Sequence, residues 1–220
     1  MRISLRKNAK RNQRRRVKRN KVVILDNGHG KNTPGKRSPD GLFFEWEWTR
    51  SFVRLLKSEL ELLGYTVFDI VPEDDDIGLS KRAARANTIV AEYGASNCIF
   101  ISVHNNAAGS SGWSNATGWE CFTTVGQNNS DRLAECLCAA CEEVGIRLRA
   151  DMTDDDKDKE NNFTVIYKTN CPAVLTENMF MDNKKDIEFL TSEDGINKLL
   201  NLHLIGIQQY FGYPITIIKK

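Results

Sequence analysis

Two of the three histidines in the chain follow short apolar runs. His29 lies in the segment Leu25–Gly30 (LDNGHG), and His104 comes directly after Cys98–Val103, whereas His203 lies among leucines near the C-terminus. Neutral imidazole is a strong zinc ligand, and a catalytic zinc ion takes three protein ligands and leaves one position open. If both runs are parallel strands of one sheet, His29 and His104 lie at the same edge and predict a zinc site there.

A carboxylate is expected to complete this ligand set, and two glutamates compete for the role. Glu45 and Glu47 both open the first long helical pattern, at the end of the loop that begins near His29. Both flank the apolar stripe of that helix, so helical spacing does not choose between them. Either one is also explained by the favourable interaction of an acidic side chain with a helix N-terminus.

A further acidic residue follows another apolar run. Glu177 comes directly after Ala173–Thr176. A carboxylate at a buried strand end is unfavourable unless it pairs with another group, such as a water molecule on a metal ion. Taken alone, a glutamate in this position is more often a surface residue or a cap, so its role depends on its neighbours.

The elements that position these residues alternate between strands and helices. Helices are predicted at Glu45–Leu63, Leu79–Tyr93, Ser130–Val144 with Ser130 as N-cap, and Asp194–Phe211. Strands are predicted at Val22–Asp26, Tyr65–Val71, Cys98–Val103, Gly118–Thr123, Asn162–Lys168 and Ala173–Thr176, with a solvated acidic loop at Asp151–Asn162. This order predicts a single α/β domain with a mostly parallel, twisted central sheet flanked by helices. Sites in such folds gather at the carboxyl ends of the strands.

Charge is unevenly distributed along the 220 residues. Residues 1–21 contain eleven Lys or Arg and no acidic residue, so the remaining chain carries −9, the total of +2 less these eleven charges. Like charges and few apolar side chains predict a disordered basic arm. The expected organisation is this arm, one domain at residues 22–213 and a short tail at 214–220, because the length suits one domain.

The sequence shows no recognisable export signal or membrane span. The first apolar run, Val22–Leu25, is short and ends at Asp26, so the arm is not followed by the apolar region of a signal peptide. No run of 18 apolar residues is present, which excludes an evident membrane helix. The chain is therefore expected to be synthesised in the cytoplasm.

Two other groups of potential metal ligands are expected to be structural. His203 lies on an apolar helical pattern, where a buried and hydrogen-bonded histidine is the ordinary case. Cys136, Cys138 and Cys141 also fall on a helix, where residues two apart point in different directions, so buried thiols are expected. Without an export signal, all six cysteines are expected to be free.

Six motifs stand in a fixed order along the chain. They are Ile24–Gly30 (ILDNGHG), Glu45 followed by a helix, Leu79–Asn87 (LSKRAARAN), Phe100–Ala107 (FISVHNNA), Gly118–Glu120 (GWE) and Pro172–Asn183 (PAVLTENMFMDN). Together they resemble the zinc-dependent N-acetylmuramoyl-L-alanine amidases of the amidase-3 type, over about residues 22–211. Asn27, Lys31 and Thr49 depart from the family's usual proline, glycine and asparagine. These departures remove no ligand and bear on substrate preference.

The resemblance implies a role for each site residue. His29, Glu45 and His104 would bind one zinc ion per chain, which selects Glu45 over Glu47, and Glu177 would be the catalytic carboxylate. Residues 22–213 would be the catalytic domain. Glu177 would take a proton from zinc-activated water and pass it to the departing amine.

The implied substrate is peptidoglycan, cut between N-acetylmuramic acid and L-alanine, as in a phage or prophage endolysin that acts on the cell wall. Two alternatives stay open: a zinc peptidase that cuts within the stem peptide, and an inactive wall-binding protein. The basic arm is expected to contact anionic envelope polymer or lipid, with nucleic acid as another possible ligand. No obligate protein partner is predicted.

Overall fold

A six-stranded sheet runs through the middle of the protein. The computed structural model describes residues 20–109, 112–153 and 156–218. The strands are β1 (Val22–Asn27), β2 (Thr66–Asp69), β3 (Cys98–Asn106), β4 (Glu120–Thr123), β5 (Lys159–Glu160) and β6 (Ala173–Phe180). Their order across the sheet is β2-β1-β3-β6-β4-β5, and only the β4–β6 pairing is antiparallel. The predicted α/β class with a mostly parallel sheet is confirmed.

Helices cover both faces of the sheet. They are α1 (Glu45–Leu62), α2 (Leu79–Tyr93), α3 (Asn129–Glu143), α4 (Thr164–Tyr167), α5 (Lys184–Thr191) and α6 (Glu193–Tyr210). Val23 and Leu25 of β1 pack into the larger apolar cluster with α1, α3 and α6, whereas Val22 and Ile24 pack into the smaller cluster with α2 and α4. Both faces of the strand are buried, which explains its uninterrupted apolar sequence.

Two central strands extend further than their apolar runs. β3 continues past Val103 to Asn106, and β6 continues past Thr176 to Phe180. His104 and Glu177 therefore lie within strands, and they are partners in the parallel register. The predicted strands end too early because a polar residue inside a buried strand has the same sequence pattern as the start of a loop.

The predicted strand at Asn162–Lys168 is wrong. Residues 164–167 form the single helical turn α4, and Val165 and Ile166 pack into the smaller apolar cluster. Two adjacent apolar residues carry no period that separates a strand from a turn of helix. A short strand lies just before them instead, since β5 occupies Lys159–Glu160 within the segment predicted as an acidic loop.

Two helices differ from the prediction. Helix α5 (Lys184–Thr191) is an additional helix, and α3 begins at a different cap. The N-cap of α3 is Asn128 rather than Ser130: the Asn128 side chain accepts a hydrogen bond from the Ser130 backbone N–H. Asp131 in turn accepts from the Asn128 backbone N–H, which completes a capping box.

His203 is structural, as predicted, and Cys138 and Cys141 are buried as predicted, whereas Cys136 is half-buried. His203 is fully buried, and its Nδ1 donates to the Leu199 carbonyl at 2.8 Å while its Nε2 lies 3.4 Å from Thr176 Oγ1. Burial lowers the pKa of His203 to about 4, so it stays neutral near pH 7. All six cysteines are free thiols.

The two ends of the chain are described only in part. Residues 1–19 of the predicted basic arm lie outside the described residues, as do the last two residues of the tail. The described part of the tail is attached to α6, because Thr216 exchanges two hydrogen bonds with Gln208 and Ile218 exchanges two with Asn201. None of the helices in the described part of the chain is long and apolar enough to cross a bilayer.

Candidate active site

Four predicted site residues meet at one edge of the sheet. β1 and β3 run parallel with Asn27 opposite Val103, so both strands end at this edge. His29 follows β1 by two residues, and His104 and Glu177 lie side by side on β3 and β6. The first residue of α1, Glu45, comes to the same place.

His29, Glu45 and His104 form one compact cluster. Their ligand atoms all lie within 4.8 Å of one another, and within the described ranges no other three His, Cys, Asp or Glu residues do so. Glu45 Oε1 lies 3.0 Å from His104 Nδ1, and Glu45 Oε2 lies 3.5 Å from His29 Nε2. The two rings stand nearly perpendicular, with centroids 5.0 Å apart. One carboxylate thus lies between two imidazoles that converge on it.

The Glu45 carboxylate is fully buried, and only one of its oxygens has hydrogen bonds. Oε1 accepts from the Asn105 backbone N–H at 3.0 Å in addition to its contact with His104. Oε2 is buried without a hydrogen-bond partner in the described part of the chain. A buried carboxylate oxygen without a partner is unfavourable, and a cation held by the three side chains satisfies it. Glu47, by contrast, is exposed.

The surroundings shift the pKa values of the two histidines in opposite directions. Burial lowers the pKa of His29 to about 4, although the charge of Glu45 opposes this. Burial also disfavours the charged form of His104, but its hydrogen bond and ion pair with Glu45 outweigh that effect and raise its pKa. The same contacts hold the pKa of Glu45 below its ordinary value against the effect of burial. His29 is therefore a neutral imidazole near pH 7, which is the form that binds metals.

Glu177 is the acid–base candidate of the site. Burial raises its pKa to about 8; the negative charge of Glu45 adds to the rise, and the charge of His104 opposes it. Its Oε2 atom is buried without a hydrogen-bond partner among the described residues. A carboxyl group that binds a proton near neutral pH is suited to proton transfer.

The backbone at His29 is held in an uncommon conformation. Its φ of +57° lies in the left-handed region, which non-glycine residues seldom adopt. Its carbonyl accepts hydrogen bonds from Arg50 and Arg82, both at 3.0 Å and both from buried guanidinium groups. Gly28 allows the close approach of β3, because a Cβ atom there would lie 2.6 Å from His104 Nδ1. The imidazole is thus positioned by its own backbone.

A chain of buried polar groups fixes the orientation of the His104 ring. Asp26 and Ser102 are register partners on β1 and β3, and Ser102 Oγ donates to Asp26 Oδ2 at 2.6 Å. Ser102 Oγ also lies 3.2 Å from His104 Nε2. The serine proton is given to Asp26, so Ser102 Oγ contacts Nε2 with its acceptor side, and this contact holds the ring with Nδ1 facing Glu45.

Arg82 connects this chain of polar groups to the rest of the site. It is 1% exposed and forms a 2.8 Å ion pair with Asp26. It also donates to the carbonyls of Asn27, His29 and Ile77.

Sequence reasoning assigned no site role to Asp26, Ser102 or Arg82. The available signal was a charged residue on the buried face of α2, since Arg82, Ala86 and Val90 share one helical stripe and all three are buried. Asp26 and Ser102 are recognisable only from the strand register, because nothing in a single sequence pairs them.

The sequence and the fold are both similar to those of known amidases. The family model described as N-acetylmuramoyl-L-alanine amidase matches residues 23–209. A crystal structure of an N-acetylmuramoyl-L-alanine amidase from Clostridium difficile 630 is similar with a TM-score of 0.76 and 26% identity, over 87% of this chain and 97% of that one.

Two relatives are longer than this chain. It is 29% identical to the N-acetylmuramoyl-L-alanine amidase AmiC of Neisseria meningitidis serogroup B, over 90% of the chain and 54% of the relative. It is also 29% identical to an endolysin of Bacillus phage SPP1, over 86% of the chain and 65% of the relative. The chain therefore spans between half and two thirds of the length of these two proteins.

The role of Arg82 is testable against a neighbour on the same helix. We expect Arg82→Met to lower the free energy of unfolding by about 3–5 kcal/mol, because it leaves Asp26 as an unpaired buried charge. Arg85→Met removes the more exposed ion pair with Glu73 and should cost about 1 kcal/mol or less. Urea denaturation of both variants measures the difference, and equal losses would contradict the role given to Arg82.

Proposed function

This chain belongs to the N-acetylmuramoyl-L-alanine amidase family, and on that basis we propose that it hydrolyses the amide bond between N-acetylmuramic acid and L-alanine in peptidoglycan. The observation that carries the proposal is the carboxylate of Glu45 between two imidazoles, with a second carboxyl group, that of Glu177, on the adjoining strand. Amide hydrolysis requires an activated carbonyl, a nucleophilic water and a proton for the departing amine. The arrangement of these side chains suits all three requirements.

His29, Glu45 and His104 are the proposed zinc ligands. Two imidazole nitrogens and one carboxylate oxygen match the donor set of catalytic zinc, which keeps a further position open for water or substrate. The unpartnered Glu45 Oε2 and the neutral His29 support this choice. When bound, zinc supplies Lewis-acid activation of the carbonyl and of water.

Glu177 carries the proton in the proposed reaction. Its carboxylate takes a proton from the attacking water as the new C–O bond forms at the lactyl carbonyl. The same carboxyl group then gives that proton to the L-alanine nitrogen as the C–N bond breaks. The products are a lactyl carboxylic acid on the sugar and a free amine on the peptide, so atoms and charge balance.

The cell wall is the proposed place of action. The relative from phage SPP1 is named an endolysin, and peptidoglycan is the substrate that the family name implies. We also propose that residues 1–21 attract the protein to anionic envelope polymer or lipid, because they carry eleven positive charges.

Glu177→Gln tests the proton-transfer role. We expect this variant to keep its metal affinity and to lose at least about 100-fold in turnover, because the amide accepts no proton from water. Mass analysis of digested peptidoglycan measures the loss, and a new L-alanine amine with a lactyl carboxylate identifies the bond cut.

Glu47→Gln is the matched control, because Glu47 lies on the exposed side of α1 and outside the cluster. It should retain wild-type turnover. Release of stem peptides by Glu177→Gln at the wild-type rate would remove Glu177 from the mechanism. Termini within the stem peptide would show a peptidase instead.

Removal of residues 2–20 tests the role of the basic arm. We expect weaker association with isolated cell envelopes at low salt and a smaller difference at high salt, because salt screens charge attraction. Sedimentation with envelopes at two ionic strengths measures the effect. Unchanged association at low salt would leave the arm without this role.

A further inference from the structure

A row of charged side chains continues across the sheet beyond Glu177. In the antiparallel pairing of β4 with β6, Glu120 is the partner of Glu177, which is itself the partner of His104. Lys159 of β5 pairs with Phe122, two residues after Glu120 and on the same face of β4. Paired residues on neighbouring strands point to the same face. Glu120 therefore borders the proposed catalytic carboxyl on the side away from His104.

Glu120 forms ion pairs with two basic side chains beside Glu177. Its side chain is 3% exposed, and its Oε1 accepts from Arg149 Nε at 2.5 Å and from Lys159 Nζ at 2.8 Å. Oε2 accepts from Asn106 Nδ2 at 2.8 Å. One cation is enough to neutralise one buried carboxylate, so the cluster retains a surplus positive charge. Such a surplus next to an active site attracts an anionic ligand.

Arg149 is the cation of this cluster whose position best suits it to bind an anionic ligand. Its guanidinium lies over the Phe180 ring, 5.1 Å from the centroid, and its side chain is about one-third exposed. Only Nε is engaged by Glu120; in the described ranges the two terminal nitrogens have no hydrogen-bond or ion-pair partner. A guanidinium fixed through Nε and by an aromatic ring presents those two nitrogens as a preorganised fork for a carboxylate.

We propose that Arg149, supported by Lys159 and Glu120, binds the carboxylate of the stem-peptide residue that follows L-alanine. This inference rests on the proposed function. Because Glu177 gives its proton to the departing amine, the L-alanine nitrogen lies at Glu177, and the proposal places the following residue on the side of Glu120, away from His104. The subsite would therefore select substrates with an acidic residue directly after L-alanine. One residue of extended chain spans about 3.5 Å, and β4 lies about 4.8 Å from β6, so that residue reaches the level of β4.

A purely structural role is the competing explanation for these cations. In that case Arg149 and Lys159 serve only to neutralise buried Glu120, and removing Arg149 lowers stability and slows every substrate equally. A carboxylate subsite predicts something different, since the loss depends on whether the substrate carries the negative charge. Discrimination between two matched substrates therefore separates the two explanations.

The experiment uses two synthetic muramoyl peptides that differ at one group. One has the free α-carboxylate on the residue after L-alanine, and the other has its primary amide. For the wild-type chain loaded with zinc, we expect kcat/KM for the carboxylate substrate to exceed that for the amide by about tenfold or more, because hydrogen bonds to charged groups contribute about 1.5–3 kcal/mol. In Arg149→Gln the ratio should fall to near one, and in Arg149→Lys it should be intermediate.

Lys157→Gln is the matched control, because Lys157 forms an exposed ion pair with Glu142 on α3 and takes no part in the Glu120 cluster. It should leave the ratio unchanged. Equal kcat/KM values of the wild-type chain for the two substrates would already overturn the proposal, before any variant is measured. A parallel fall of both rates in Arg149→Gln would also overturn it, in favour of the structural role.

A binding measurement separates this proposal from the proposed function. Calorimetry with the carboxylate and amide forms of the free peptide, on wild-type chain and on Arg149→Gln, requires no turnover. A chain that cleaves neither muramoyl peptide but binds the carboxylate peptide about tenfold more tightly would contradict the amidase assignment and support the subsite. Cleavage of both peptides with equal binding of the two forms would support the assignment and overturn the subsite.

Discussion

The buried carboxylate of Glu45 between two imidazoles is the constraint on which the rest of the site depends. One oxygen contacts His104 and accepts from a backbone N–H, and the other has no hydrogen bond to any residue that the structure describes. An uncompensated buried charge is strongly unfavourable, and the start of α1, the end of β1 and the end of β3 converge where a bound cation would compensate it. Glu177 then lies beside the same centre through the strand register alone.

Two layers of structure hold that constraint in place. The sheet brings the strand ends together, but the sheet does not set the conformation of His29 or the ring orientation of His104. Those are set by buried polar groups, since Arg82 bonds to the His29 carbonyl and to Asp26, and Ser102 connects Asp26 to the His104 ring. The proposed ligands are therefore positioned by the protein itself, and this preorganisation is what catalytic sites require.

The sequence predicts the site better than it predicts some of the elements around it. His29, His104 and Glu177 stand out because each follows an apolar run, and parallel strands bring such positions to one edge. Glu45 was selected over its neighbour only by family resemblance, because both flank the same helical stripe. The roles of Arg149 and other partners depend on pairing between distant segments, which a single sequence does not encode. Segments shorter than one period, such as α4 and β5, give no periodic signal.

Anomalous diffraction at the zinc edge from crystals grown with zinc tests the central claim most directly. We expect one zinc ion per chain, with one nitrogen from each of His29 and His104 at about 2.0–2.1 Å and a Glu45 oxygen at about 2.0–2.2 Å. Zinc bound elsewhere, for example by the thiols of α3, with His29 and His104 facing an empty space, would contradict it.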